Sequence, residues 1–489
     1  MRVRHVALVL AFAFAIASSA DAHAVDRSSI ATVPKPTAAG IPWTPSATQA
    51  LGVDLDALLA VPPFSRAHVG VLALDTATGV ALYERHADEA FQPASTLKLL
   101  VGSVALDQLG PSSRLHTSLT WRAPILTLHA GGDALLAASD LAAAARAVAV
   151  QGIHDVGQLE IDARRYDGAH YPPGWTWDDF AYAYAPIVSA AALEDGALHV
   201  LVAPGASPIE RPTLQITPLG SGIRVRNNAR TIARGSADTL DIERDGDTIV
   251  LTGAIPLGTP PEDVLPAVPD AIAYMRGVLS AALERAGVHV RPPTLVVALG
   301  APAADVPIWS HDSAPLSERL ADFWYPSDNL IGELLLKELA AQAPLAQGTT
   351  QGGIALERTW LTSIGADSAS LALSDGSGLS VYNRISPRTI AAILQHDWAS
   401  PQRDVVLDAL PVAGVRGTLA ASYGQTSTIG RVFAKTGSLS HVSTLAGFLR
   451  PNCRPAVTLV FDVDDYVGPG ADLSAARGRV LSRIISDPC

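Results

Sequence analysis

The sequence predicts an α/β protein of the α+β kind, with an antiparallel sheet and flanking helices built from both ends of the chain and a large, mostly β insertion between them. Three observations predict this. The C-terminal part reads strand, strand, strand and helix in "RVFAKTG", "STLAGFLR", "AVTLVFDV" and "DLSAARGRVLSRIIS". Near the other end, "HVGVLAL" and "VALYER" flank the Gly-containing turn "DTATG", a β-hairpin pattern. Between them, short strand-like runs alternate with loops rich in Gly, Pro and Asp. The hairpin and the three late strands would complete one five-stranded antiparallel sheet.

Taken in order, the chain opens with a basic "MRVRH", an apolar run of 12 residues from Val6 to Ala17, and the small-residue stretch "SSADAHA". Residues 1–24 are therefore expected to be a secretory signal peptide, too short to span a bilayer. The protein is expected to be exported, periplasmic or secreted, with no stable membrane anchor. A Pro/Ser/Thr-rich lead, "ATVPKPTAAGIPWTPSATQ", reads as a linker or an extended arm, with Lys35 as a solvated charge. After the hairpin, a helix runs from about Ser95 to a cap at Gly110. Two helical patterns interrupt the insertion, "ASDLAAAARAVAVQG" and "PDAIAYMRGVLSAALERAG", and helices return in "SDNLIGELLLKELAAQ" and "TQGGIALERTWLTSIG". Residues 25–110 and 300–489 are expected to form the two-part domain, and 111–299 the insertion, as one or two subdomains.

At 489 residues the chain exceeds one ordinary domain. With 48% hydrophobic and 17% charged residues it can bury large cores, and its net charge of -12 argues against nucleic acid as a partner. Its two cysteines, Cys453 and Cys489, fit an exported protein. A bridge between them would contribute about 3–4 kcal/mol; two free thiols are the alternative.

Only four of the 35 basic residues are lysines: Lys35, Lys98, Lys337 and Lys435. Ser95 and Lys98, at i and i+3 in "PASTLKLL", share one helix face. A hydroxyl is a weak nucleophile until a base takes its proton, and lysine serves as that base once burial or a second cation lowers its pKa. Arginine never loses its proton, so a lysine here marks a base rather than a charge. Two more stretches join this one. "YPSDNLIGE" holds Ser327 and Asn329 as S-x-N, and "FAKTGSLS" ends a strand pattern with Lys435, Thr436 and Gly437. Lys337, in "LLLKELA", reads more simply as an exposed helical residue.

S-x-x-K, S-x-N and K-T-G in this order resemble the signature of the penicillin-recognising serine enzymes. Ser95 and Ser327 are 232 residues apart, an insertion that class A β-lactamases have no room for. The chain most resembles the D-alanyl-D-alanine carboxypeptidase/endopeptidase family typified by penicillin-binding protein 4. "SDGSGLSVYNRISP", "VAGVRGTL" and "AKTGSLSHVSTLAGF" agree with that family, and the likeness covers nearly the whole mature chain. It implies a β-lactamase/transpeptidase-like fold and a serine DD-peptidase acting on peptidoglycan stem peptides, which also binds β-lactams and needs no metal or organic cofactor. By the same likeness Ser95 attacks the D-Ala-D-Ala carbonyl, Lys98 takes its proton with Lys435 helping to depress its pKa, and Ser327 relays a proton to the leaving amine. Asn329 orients substrate and Lys98, Lys435 and Thr436 bind the terminal carboxylate, and the N–H groups of Ser95 and Ser438 form the oxyanion hole.

Two departures stand out. Tyr325 occupies a place where the family usually has a lysine, and "LEDGALHV" replaces a more Asn-rich stretch. In the insertion, "YPPGWTWDDFAYAYAP" resembles the segment that meets the diamino acid of the stem peptide. Of its two acids, Asp179 is favoured as a partner for a free ammonium, against a purely structural Trp-anchored loop. The rival activities are a β-lactamase or D-amino-acid esterase or amidase on the same scaffold, and a penicillin-sensing or wall-binding protein with little turnover. Oligomeric state is left open.

Overall fold

A computed structural model describes residues 33–292, 304–343, 346–423 and 427–488; the expected signal peptide lies outside them. The sheet contains strands β1 (His68–Asp75), β2 (Ala81–Arg85), β3 (Val432–Leu439), β4 (Val442–Leu449) and β5 (Val457–Asp464). Their order is β3-β4-β5-β1-β2 and every pairing is antiparallel. All eight residues of β5 are buried, including the polar Thr458, Asp462 and Asp464 on alternate positions.

Both faces of this sheet are covered. On one, Phe461 and Val71 pack with the apolar stripes of helix α1 (Pro45–Leu59) and the C-terminal helix Gly470–Ile485. On the other, Val460 and Leu72 pack with α2 (Lys98–Leu109) and the helix Pro387–Ala399. Nine of the twelve residues of α2 are buried. Gly102 lets it approach Trp324, whose ring a Cβ there would meet at 2.5 Å. The Trp324 indole N–H donates to Lys98 O at 3.1 Å, locking the first turn of α2.

Most insertion strands form small sheets of three or four strands, and the two expected helices run over Ala138–Val150 and Ala271–Arg285. Strand Val306–Asp312, beyond the boundary expected at 299, pairs with His116–Arg122 of the insertion. The Pro-rich lead is an arm over the body: Ile41 N donates to Cys453 O and Ala456 N to Thr37 O. It turns helical at Pro45, behind the Thr44 N-cap. Cys453 is in a disulfide; the other cysteine, Cys489, lies outside the described residues.

Two lysines depart from expectation. Lys35 is ion-paired with Asp408 at 2.9 Å, because the arm lays it on a neighbouring helix. Lys337 is wholly buried and bonded to Asp167 and, at 3.0 Å, to Ala169 O. Its helix, α3 (Asn329–Ala340), is enclosed on all sides, so no face remains for an exposed charge. Asp167→Ala would strand a buried ammonium and is expected to lower stability by about 3 kcal/mol in chemical denaturation.

Candidate active site

The loop that carries Ser95 is shaped by close backbone contacts. Phe91 is bridged to Ile385 and lies over Gly70, where a Cβ would meet its ring at 2.6 Å. Pro93 O accepts from the hydroxyls of Thr96 at 2.6 Å and Thr444 at 2.8 Å. Ala94 then takes a left-handed φ of 45°, an uncommon conformation of the kind found at functional sites. It fits because Gly378 stands opposite; a side chain there would strike the Ala94 carbonyl. The α-helix begins at Lys98 rather than Ser95, which lies in a 3₁₀ turn over Ala94–Leu97. That turn brings Lys98 Nζ to 2.9 Å from Ser95 Oγ.

Lys98 also donates to Asn329 Oδ1 and to Ser377 O, both at 2.6 Å, and is fully enclosed. Burial pushes its amine down to about 8, against the opposing pull of Asp375, Asp328 and Glu333. A few units of pH thus separate a triply bonded ammonium from an amine with a free lone pair facing a serine hydroxyl.

The other two motifs meet this one. Ser327, with a φ of 67°, accepts from Lys435 Nζ at 2.8 Å. Lys435 is buried too, and burial followed by repulsion from Lys98 holds its amine well below the usual lysine range. Lys435 was expected to help depress the Lys98 amine; burial is the leading cause at both lysines, and the repulsion between them is mutual. Gly437 lets β3 lie against Ser95: a Cβ would strike Thr444 Oγ1 and come within 2.8 Å of Ser95 N. Ser438 follows on the same strand, and Thr436 shares a 2.8 Å hydrogen bond with Thr418. Tyr325 serves as a tie: its hydroxyl donates to Asp408 O, its carbonyl accepts from Thr418 N, and Arg416 lies over its ring.

Three supporting residues were inside the quoted motifs without being singled out. Asp375 accepts from Trp175 Nε1, Gly378 N, Ser380 N, Asn383 Nδ2 and the Ser377 hydroxyl, which folds the 375–383 loop around one carboxylate. Glu333 Oε1 accepts from Gly376 N at 3.0 Å and Ser377 N at 2.8 Å, fixing the segment whose carbonyl holds Lys98. Burial, then Asp375, pushes Glu333 up to about 8. Its spacing of four from Asn329 on one helix face was the available signal. Thr418 was the third, within "VAGVRGTL".

The insertion reaches this centre as well. Asn329 Nδ2 donates to Tyr184 O at 2.6 Å. The Tyr184 hydroxyl donates to Asp179 Oδ1 at 2.8 Å, and Thr176 to Asp179 Oδ2 at 2.6 Å. Asp179 is thus linked to Lys98 through Tyr184 and Asn329. Beside it, Trp177 is 80% exposed and Asp178 is exposed. Asp195, in "LEDGALHV", touches Asp328; burial and that second acid push its carboxyl well up.

A serine beside a buried, depressed amine, with a second serine–lysine pair and a glycine-bared strand, sits on a fold of the β-lactamase/transpeptidase kind. This is the class of active-site serine peptidases. Within it, the chain belongs to the D-Ala-D-Ala carboxypeptidase 3 (S13) family, whose model matches residues 51–478. It is 34% identical over 419 residues to the D-alanyl-D-alanine carboxypeptidase of Actinomadura sp. (strain R39), covering 81% of this chain and 78% of that one. Carboxypeptidase DacB of Mycolicibacterium smegmatis is 27% identical over 81% of this chain and 76% of its own length. The fold is shared with penicillin binding protein 4 (dacB) from Haemophilus influenzae, with a TM-score of 0.77 at 22% identity over 88% of this chain and 99% of that one.

Glu333→Ala leaves two buried amides without an acceptor, a loss of about 1–3 kcal/mol. Acylation by benzylpenicillin, followed by intact mass, is expected to slow about 10–100-fold. Glu333→Gln keeps an acceptor oxygen and is expected to stay within a few-fold of the parent.

Proposed function

We propose that this serine D-Ala-D-Ala carboxypeptidase works through an acyl-enzyme on Ser95, and that the observation carrying this reading is the 2.9 Å contact between Ser95 Oγ and the buried Lys98 amine. Neutral Lys98 accepts the hydroxyl proton as Oγ attacks the carbonyl of the penultimate D-Ala. The N–H groups of Ser95 and Ser438 hold the oxyanion, each donor being worth about 3–4 kcal/mol in sites of this kind. The C–N bond then breaks as the proton held on Lys98 is relayed through Ser327, backed by Lys435, to the leaving D-Ala amine, which frees Lys98 to act again. The terminal carboxylate lies against Lys435 and Thr436, and Asn329 keeps Lys98 and the substrate amide aligned. Water hydrolyses the ester with Lys98 again as base. Attack on a cross-linking D-Ala bond uses the same groups, so DD-endopeptidase activity belongs to this reading.

The substrate is a peptidoglycan stem peptide, and β-lactams acylate the same serine; the Haemophilus influenzae protein has been solved with a β-lactam bound. The insertion would meet the third residue of the stem. Trp177, Asp178, Asp179 and the stacked pair Tyr182 and Tyr184 offer aromatic faces and carboxylates to a side-chain ammonium. Residues up to 110 and from 313 onward would form the catalytic unit, and 111–312, including strand Val306–Asp312, the substrate-side insertion. Among the described residues no helix is long and apolar enough to cross a membrane, and a wall substrate places the enzyme outside the cytoplasm.

Intact mass over time with benzylpenicillin is the primary test. A single lasting adduct absent from Ser95→Ala supports the assignment. Rapid consumption without an adduct would favour a β-lactamase, and neither consumption nor adduct would remove the nucleophile. Repeated across pH, the acylation rate should climb as Lys98 loses its proton near 8 and level off above it, falling about tenfold per unit well below. For the subsite, Asp179→Asn should raise KM about tenfold for a peptide with a free diamino-acid amine and leave benzylpenicillin acylation within a few-fold. Equal losses on both would assign Asp179 to loop structure alone.

A further inference from the structure

No pair of histidines stands at metal-ligand spacing in the sequence, but the fold brings two of them together with a glutamate. His68 opens β1, while His86 and Glu89 follow β2 in the segment that leads to the nucleophile. One donor atom from each lies within 4.8 Å of the other two. His68 Nε2 is 2.7 Å from Glu89 Oε2, and the two imidazole rings are 5.6 Å apart.

The site has one fixed ligand and two adjustable ones. His68 is half-buried and stacked on Phe91 with ring centroids 4.2 Å apart. His86 and Glu89 are exposed, and His86 takes a left-handed φ of 48°. Two imidazoles and a carboxylate form a donor set used for Zn²⁺, with a fourth position left to water. Metal–ligand distances of about 2.0–2.2 Å place tetrahedral donors about 3.4 Å apart, so side-chain rotation at the two exposed residues suffices to close the set.

The surrounding charge is favourable. Asp464 stands opposite His68 in the strand register; its Oδ2 accepts from Gln92 N, and its Oδ1 is buried without a partner. Arg388, the cation held close by, is already paired with Asp88 and Glu84. Arg384 also acts on Asp464.

We propose that His68, His86 and Glu89 bind a divalent cation of the zinc type, separate from the serine chemistry. No ligand belongs to the three catalytic motifs. The bound ion would pin residues 86–92, which run directly into Pro93 and the Ser95 turn, so its role is to stiffen that approach.

The test is a zinc chloride titration of the untagged, chelator-stripped full chain by calorimetry, with benzylpenicillin acylation as the control for correct folding. One ion per chain at micromolar Kd is expected, weakened at least tenfold in His86→Ala and again in His86→Ala with Glu89→Gln. Both positions are exposed, so these variants should still acylate. Absence of binding up to 100 times that range, on the order of 100 μM, would overturn the site. So would one-to-one binding that the double variant leaves unchanged, since the ion would then sit on other histidines.

Discussion

The Lys98 amine sits in the protein interior, and satisfying it there organises the centre of the molecule. An ammonium without water needs an acceptor for every N–H, and here they are Ser95 Oγ on the adjoining turn and, from distant parts of the chain, Asn329 Oδ1 and Ser377 O. Each acceptor is itself held. Trp324 secures the turn that carries Lys98, Tyr184 secures Asn329, and Glu333 with Asp375 secures the loop of Ser377. Burial lowers the amine's proton affinity, while three nearby acids keep it from falling too far. The balance between those effects leaves a group that titrates near working pH.

The second buried lysine extends the same logic. Lys435 has fewer acceptors, bonding Ser327 Oγ and Thr436 O, and no acid among the causes of its shift. Two amines therefore share one enclosure, and their mutual repulsion disfavours charging both at once. In the proposed mechanism, a pair that avoids full double protonation can pass protons between the two serines.

Helix α3 is where the insertion is joined to this centre. Asp167 meets Lys337, Arg165 and Tyr166 meet Glu338, Asp195 meets Asp328, and Tyr184 meets Asn329. The insertion thus grips the helix that carries the second motif along most of its length. This explains a helix with buried charges on every side, and why Lys337 looked like a surface residue when read in one dimension.

The five-stranded sheet, the two helices of the insertion and the three motifs were legible in the sequence, because periodicity, turn residues and the rarity of lysine are local properties. Asp375 and Glu333 were not singled out, since an acid acquires a role only from the amides that the folded loop turns toward it. The same holds for His68, His86 and Glu89, which no spacing rule connects. By itself the sequence determined the strands, the Ser95–Lys98 spacing and the chemical types available at each motif. Only the tertiary structure decided which of those groups lost water and which partners they met. Proton affinity and hydrogen-bond satisfaction depend on that enclosure, which forms when segments hundreds of residues apart pack together.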